Sequence, residues 1–398
     1  MLSSQFSPWP SYSEEEADAV KRVLLSNKVN YWTGDECRQF ENEYASFINC
    51  NHAIAVANGT VALDLALKVI DLSPGDEIIV TSRTFLATVS SIVNAGLRPV
   101  FADVDKKTQN IDAGAIKGLL TEKTRAIMCV HFAGWPCDMD PILTLARSQG
   151  LYVIEDCAQA HGAVYKGKPV GSLGDIGCWS FCQDKIITTG GEGGMVTTND
   201  SDLWSKMWAY KDHGKSWESV NKSYKSAGFR WLHDSFGTNW RMTEMQAIIG
   251  RIQLKRMPDW HYRRNQHLKR IWAAANQVSY LNAPRFPCFG CYDTCSGENA
   301  CQHAAYKCYV AVDIRVKNRD KIMQFINDRG VPCYHGGCAE VYLEKAFDNT
   351  GFRPEKRLPV ARQLGDSSLM FLCHPTLTEA EIQKTCDALI KAVLDHFK

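Results

Sequence analysis

Residues 151–163 read LYVIEDCAQAHGA, an apolar run from Leu151 to Ile154 that meets two carboxylates, Glu155 and Asp156, and then small residues. A short run that is apolar at every position is a strand covered on both faces, and the carboxylates mark its carboxyl end. The pattern recurs on either side, in EIIV (77–80), RPVFADV (98–104), AIMCVHF (126–132), GCWSF (177–181) and MVTTN (195–199). Helix-period segments separate these runs from residue 53 to about 200. The alternation predicts an α/β domain with a mainly parallel sheet covered on both faces.

Upstream, Ser13 and Glu16 form a capping box ahead of Ala17, Val20 and Leu24, which predicts a helix ending near Asn27, and the loop KVNYWTGDE (28–36) follows. Downstream, Met242 to Gln277 is strongly helical but contains Pro258, which is expected to kink or divide it. The tail changes character. YKCYVAVDIRV (306–316) alternates as a strand does, RDKIMQFINDRG (319–330) is a helix ended by Gly330, and Thr378 with Glu381 caps a final helix. On that last helix Ile382, Cys386, Leu389, Ile390, Val393 and Phe397 share one face. The expected architecture is a large domain over 1–257, carrying the N-terminal helix and part of the connector helix, and a smaller α+β domain over 258–398 with a Cys-rich insertion at about 285–308.

The 398 residues carry 45 Lys plus Arg against 44 Asp plus Glu, so no whole-chain field favours nucleic acid or an acidic membrane. With 45% apolar and 22% charged residues the chain is too apolar for disorder. The N-terminus lacks the basic stretch and apolar run of an export signal, and no apolar run reaches membrane-spanning length. Sixteen cysteines without such a signal read as reduced thiols or metal ligands, and the expected compartment is the cytoplasm.

Four segments carry polar residues where ligands collect in such sheets, at the carboxyl ends of strands. Gly59 and Thr60 precede a helix whose first amides suit a phosphate, although a Gly-Thr pair is also an ordinary cap. Phe85 follows a strand and can lie on an aromatic ring or in the core. Asp156 ends a buried strand, where a carboxylate needs a cationic partner or hydrogen bonds; a protonated pyridine nitrogen would supply a partner, and an internal salt bridge is the other reading. Ser180 and Lys185 precede the turn GGEGG (190–194), where a lysine is either solvated or a Schiff-base amine. Together a phosphate anchor, a stacking aromatic, a carboxylate and an amine are the parts pyridoxal phosphate requires.

ANGTVALDLAL (57–67), PGDEIIVTSRTF (74–85), PVFADVD (99–105), NID (110–112), EDCAQAHGA (155–163), GDIGCWSF (174–181), GGEGGMVTTND (190–200) and GTNWRMTEMQAIIGRIQL (237–254) follow in order. This series resembles the motifs of the DegT-type (DegT/DnrJ) sugar aminotransferases, fold-type I pyridoxal-phosphate enzymes, from about residue 10 to the C-terminus. The resemblance implies that Lys185 tethers the cofactor and serves as general base, and that Asp156 pairs with the pyridine nitrogen. It also implies Gln159 near the phenolic oxygen and Phe85 on the ring. Gly59, Thr60 and Ser180 would hold the phosphate with Asn239 of a second subunit, which makes a homodimer with shared sites. Family members with histidine in place of the lysine dehydrate or deoxygenate; this chain keeps Lys185, so transamination is expected ahead of dehydration.

The stretches LLSNKVNYWTGDECRQFE (24–41), HFAGWPCDMD (131–140), YKDHGKSW (210–217) and GFRWLHDSFGTNWRM (228–242) resemble most those family members that aminate a free keto-sugar acid, 8-keto-3,8-dideoxy-octulosonate, for lipopolysaccharide. The amino donor expected is L-glutamate, and the alternative acceptor is a nucleotide-linked keto sugar. Arg83, Arg230 and Arg241 are candidates to grip a carboxylate, or else structural ion-pair residues. Tyr31, Trp32 and Thr33 with His213 and Lys215 are a second candidate substrate wall. Cys288, Cys291, Cys295, Cys301, His303 and Cys308 depart from the family's pattern and match no zinc spacing beyond the first pair, so no metal is expected. A non-enzymatic, cofactor-binding regulator is the competing class; it calls for a basic DNA-binding region, which the near-neutral chain does not offer.

Overall fold

Each apolar run quoted above is a strand in the computed structural model, which describes residues 6–222, 231–284, 300–313 and 319–396. The strands are β1 (His52–Val56), β2 (Glu77–Thr81), β3 (Arg98–Ala102), β4 (Thr124–Val130), β5 (Tyr152–Asp156), β6 (Val164–Tyr165), β7 (Lys168–Pro169), β8 (Ile176–Ser180), β9 (Gly194–Thr198), β10 (Leu281–Asn282), β11 (Cys308–Val312), β12 (Cys333–Tyr334) and β13 (Ser368–Phe371). The helices are α1 (Glu14–Leu25), α2 (Glu36–Ile48), α3 (Gly59–Val69), α4 (Leu86–Asn94), α5 (Ala113–Lys117), α6 (Met139–Gln149), α7 (Ser201–Lys211), α8 (Trp217–Asn221), α9 (Glu244–Ala275), α10 (Arg319–Asp328), α11 (Pro359–Ser367) and α12 (Glu379–His396).

Seven strands form the large sheet in the order β1-β9-β8-β5-β4-β2-β3. Pairs among β3, β2, β4, β5 and β8 are parallel, and only those made by β9 are antiparallel, so β9 runs against its six companions. No helix lies between β8 and β9, and a strand returning without a crossover helix pairs antiparallel. Burial on both faces accounts for their composition: every residue of β8 and β9 is buried.

A second sheet, β10-β11-β13-β12, is antiparallel throughout and packs with α10 and α12. In β11 Cys308, Tyr309, Val310 and Val312 are all buried, so the alternation expected there is absent. The reason is that Tyr309 packs on Phe132, which follows β4.

Helix α9 runs unbroken for 32 residues through Pro258, which does not divide it. A capping box of Thr243 and Gln246 starts it, α1 and α2 brace it, and α12 and β11 pack on it. Its side chains Leu254, Met257 and Trp260 enter the core around the large sheet, while Leu268, Ile271 and Ala274 enter the core around the small one. The final helix has the capping box expected of Thr378 and Glu381, and it buries Ile382, Cys386, Leu389 and Val393 with Ile390 partly covered; Phe397 lies outside the described residues.

Helix α1 begins at the expected capping box but turns a different face inward. Glu16, Ala19 and Val23 are buried, whereas Ala17 and Leu24 are exposed. Glu16 is drawn in by Arg256 of α9, 2.7 Å away. No helix of the described residues is long and apolar enough to cross a membrane.

Candidate functional site

Asp156 ends β5 inside the molecule. Its Oδ2 accepts from Thr88 Oγ1 of α4 at 2.8 Å and its Oδ1 from the Ala158 N–H at 3.1 Å. Burial pushes the carboxyl up; these two hydrogen bonds and the charge of Lys185 oppose that. The salt bridge allowed by the sequence is absent among the described residues. One residue earlier, Glu155 accepts from the N–H groups of Gly171, Leu173 and Gly174 and bonds to His131 Nε2 at 2.9 Å. His131 Nδ1 accepts from the Cys137 N–H, so Nε2 carries the proton that faces Glu155. This buried pair fixes the strand end from which Asp156 projects.

The N-terminus of α3 lies over the end of β8. A Cβ at Gly59 would stand 2.5 Å from Ser180 Cβ, so only glycine permits this approach. Asn58 caps Val61 N–H at 3.0 Å, and the amides of Gly59 and Thr60, in the first turn, have no acceptor within the helix. His161 supports Ser180 from below: its Nε2 lies 2.9 Å from the Ser180 carbonyl oxygen and its Nδ1 2.8 Å from the Tyr44 hydroxyl. One tautomer satisfies both contacts, and burial pushes the imidazole down to about 3, so the ring is neutral.

Lys185 follows β8 with its side chain only 18% exposed, which excludes the solvated-surface reading. Its Nζ donates to the Tyr306 hydroxyl at 3.3 Å and lies 3.5 Å from Asp184. Tyr306 in turn donates to Asp184 Oδ2. The Lys185 charge holds the Asp184 carboxyl low against the effect of burial, while burial and the Asp184 charge push the Tyr306 phenol up. Sequence reasoning missed Tyr306, Asp184 and His161. The side-chain partner of Tyr306 is 121 residues away across the Cys-rich segment, so no local spacing could signal it.

Phe85 stands at the N-cap position of α4 and is 72% exposed rather than in the core. Gln159 Oε1 accepts from the Ala133 N–H at 2.8 Å. Asn239 is exposed and its backbone bridges Asp212.

The candidate substrate residues divide. Tyr31 is not a wall residue: it is 1% exposed, and its hydroxyl bonds to Glu41 at 3.1 Å and receives the indole N–H of Trp208 at 3.2 Å. Trp32 is half-buried beneath the ammonium of Lys215, 4.2 Å from its ring. Thr33 and His213 are exposed, and Thr33 Oγ1 turns back to the Asn30 carbonyl. Arg241 makes an internal ion pair with Asp212 at 2.6 Å. Arg83 is 1% exposed, over the Phe132 ring and bonded to Ser368 Oγ, so it offers no open grip for a carboxylate. Arg230, Cys288, Cys291 and Cys295 lie outside the described residues. Cys301 accepts from the Lys166 N–H, His303 accepts from the Ala305 N–H, and Cys308 is buried in β11; these three form no ligand cluster among the described residues.

A mainly parallel sheet with a lysine, a buried aspartate and a helix N-terminus at its carboxyl edge is the fold of the type I aminotransferases. The chain belongs to the DegT/DnrJ/EryC1/StrS aminotransferase family, whose pattern matches residues 10–390. It is a pyridoxal-phosphate-dependent sugar aminotransferase. The structure is similar to that of an aminotransferase from Psychrobacter cryohalolentis, 59% identical, covering 99% of this chain and 100% of that one, with a TM-score of 0.94. The sequence is 43% identical over 261 residues to the GDP-perosamine synthase of Escherichia coli O157:H7, 65% of this chain and 67% of that protein. It is 32% identical over 380 residues to the dTDP-3-amino-3,6-dideoxy-alpha-D-galactopyranose transaminase of Aneurinibacillus thermoaerophilus, 95% of each.

Proposed function

We propose that this enzyme moves an amino group from L-glutamate to a nucleotide-linked keto sugar, with Lys185 as tether and general base. The observation that carries the site assignment is the placement of the Lys185 amine, the buried Asp156 carboxyl and the Gly59–Ser180 cradle around the ends of β5 and β8. That donor set fits pyridoxal phosphate, which needs an amine, an acidic partner for its ring nitrogen and amides for its phosphate. Gly59, Thr60 and Ser180 would hold the phosphate, Gln159 would serve the phenolic oxygen, and Phe85 would cover the ring. Asn239 would serve the phosphate of a second copy, which would make the working unit a homodimer.

Bound pyridoxal phosphate supplies a ring that accepts electrons from the amino carbon. Asp156 keeps its negative charge against the ring nitrogen, which holds a proton there. The Lys185 amine, when free, would carry a proton to and from the amino carbon. Because the donor would leave its amino group on the enzyme and depart as a keto acid before the acceptor enters the same site, the two half-reactions would give ping-pong kinetics.

The acceptor class rests on the relatives' names: perosamine and dideoxy-galactose transaminases act on GDP- and dTDP-linked sugars. These names support the nucleotide-linked acceptor ahead of the free octulosonate expected from local wording. The test is to reduce the holoenzyme with borohydride, map the tagged peptide, and assay glutamate with a nucleotide-linked 4-keto hexose beside 8-keto-3,8-dideoxy-octulosonate. The expected result is a tag on Lys185 and turnover of the nucleotide-linked sugar. Turnover of the octulosonate alone overturns the acceptor, and a tag on any other residue overturns the site.

A further inference from the structure

The sequence reading gives Tyr306 and Asp184 no role at the site, yet they are the side chains that hold Lys185. The phenol has one proton to give, and it gives it to the carboxylate of Asp184. A charged acceptor outcompetes a neutral one, so the lone pairs of the Tyr306 oxygen face the lysine and accept its N–H at 3.3 Å. Tyr306 is nearly buried, and its ring also lies 5.1 Å from the Lys185 ammonium and 4.8 Å from that of Lys307. A buried ring cannot follow a moving amine; it offers a fixed point instead.

We propose that Tyr306, aligned by Asp184, is a positioning residue: a docking hydroxyl that receives the Lys185 amine whenever it is not joined to the cofactor. A four-carbon stem left free would sample many rotamers, and each turnover would wait for the productive one. Docked on Tyr306, the amine stays beside the reacting carbon and returns along one path. The proposal rests on the reading of Lys185 as tether, and its test separates the two.

Tyr306→Phe keeps the buried ring and leaves Asp184, whose side chain is 48% exposed, to water, so the fold is expected to persist. Two measurements follow. The first is the rate at which apoenzyme captures pyridoxal phosphate, read by absorbance. The second is the single-turnover rate with glutamate, over a range of glutamate concentrations. We expect both limiting rates to fall about tenfold in Tyr306→Phe, with the half-saturating glutamate concentration unchanged. Asp184→Asn, which still accepts from the phenol, is expected to keep most of the rate, and Asp184→Ala to behave as Tyr306→Phe does. A Tyr306→Phe enzyme that matches the parent within about twofold in both rates overturns the docking role, and full-speed Asp184→Ala overturns the alignment by Asp184. Borohydride labelling of the parent at Lys185 shows independently whether the tether reading stands.

Discussion

Thr88 Oγ1 donates a 2.8 Å hydrogen bond to Asp156 Oδ2, and that contact is the foremost of those opposing the upward push that burial gives the carboxyl. Thr84 bonds to Thr88 in turn at 2.7 Å, so a short hydroxyl relay on the segment around Phe85 reaches the end of β5. The cofactor's ring nitrogen needs an ionised partner there. Replacing Thr88 with Val leaves burial opposed mainly by the Ala158 N–H, and the Asp156 pKa rises. Pyridoxal phosphate affinity is then expected to fall about tenfold, the value of one hydrogen bond to a charged group. The loss is expected to be larger at pH 6 than at pH 9, because a raised pKa costs ionised carboxylate at the acid end. Fluorescence titration of apoenzyme at both pH values checks it; equal losses at both would remove the charge argument.

Gly59 and Ser180 meet more closely than any side chain allows. In Gly59→Ala the new Cβ stands 2.5 Å from Ser180 Cβ and 3.1 Å from its Cα, so backbone has to move and the first turn of α3 lifts from β8. Overpacking of this kind costs about 1–3 kcal/mol, and the amides that cradle the phosphate are displaced with it. Cofactor affinity is expected to fall further than urea stability of the apoenzyme, since the cradle moves while the core remains. Parallel urea and cofactor titrations compare the two, and unchanged affinity would place the phosphate elsewhere.

The sheet was legible because strands buried on both faces are written as unbroken apolar runs, and candidate cofactor residues could be named because polar groups stand at the ends of those runs. What failed was any judgement about polar groups that point inward. Glu16 reads only as a capping-box partner of Ser13, yet it is also buried against Arg256, 240 residues on, and the inward face of α1 is turned away from Ala17 and Leu24. Tyr31 reads as a substrate wall, yet Glu41 and Trp208 satisfy its hydroxyl in the core. Tyr306 gave no signal at all, because its meaning comes from two residues beyond a Cys-rich insertion. Pairings across the fold carry no local period, so hydropathy cannot show them.

His161 links the site to acid stability. Burial pushes His161, His303 and His374 each down to about 3, so these rings are neutral when folded and take a proton near pH 6.5 when unfolded. A depressed folded pKa means the stabilisation is complete above pH 6.5 and is lost progressively as pH falls from there toward 3. The urea midpoint is therefore expected to drop between pH 7 and pH 5. In His161→Gln, whose amide can face Ser180 and Tyr44 without titrating, the midpoint is expected to be lower at pH 8 but to fall less steeply toward pH 5. Parallel slopes for parent and variant would mean that His161 is not one of the groups that titrate.

Lys211 has no exposed side-chain surface, and its ammonium makes no hydrogen bond among the described residues but sits 3.7 Å from Glu41 and 3.6 Å from the centre of the Tyr31 ring. Burial pulls its pKa down and pushes that of Glu41 up, and the charge of each partner opposes the shift of the other. Glu41 also accepts from the Ala55 N–H of β1, which ties the pair to the large sheet, and Lys211 precedes the Asp212 that holds Arg241. Removing one partner strands the other. Lys211→Met is expected to cost about 3 kcal/mol in urea unfolding, whereas the double variant Lys211→Met with Glu41→Gln, which buries no net charge and keeps an acceptor oxygen for the Ala55 N–H, is expected to recover most of it. The double-variant cycle gives the coupling directly. If the two losses simply add, the pair is packing rather than electrostatics, and the region behind Trp32 and Arg241 is held by its aromatic rings alone.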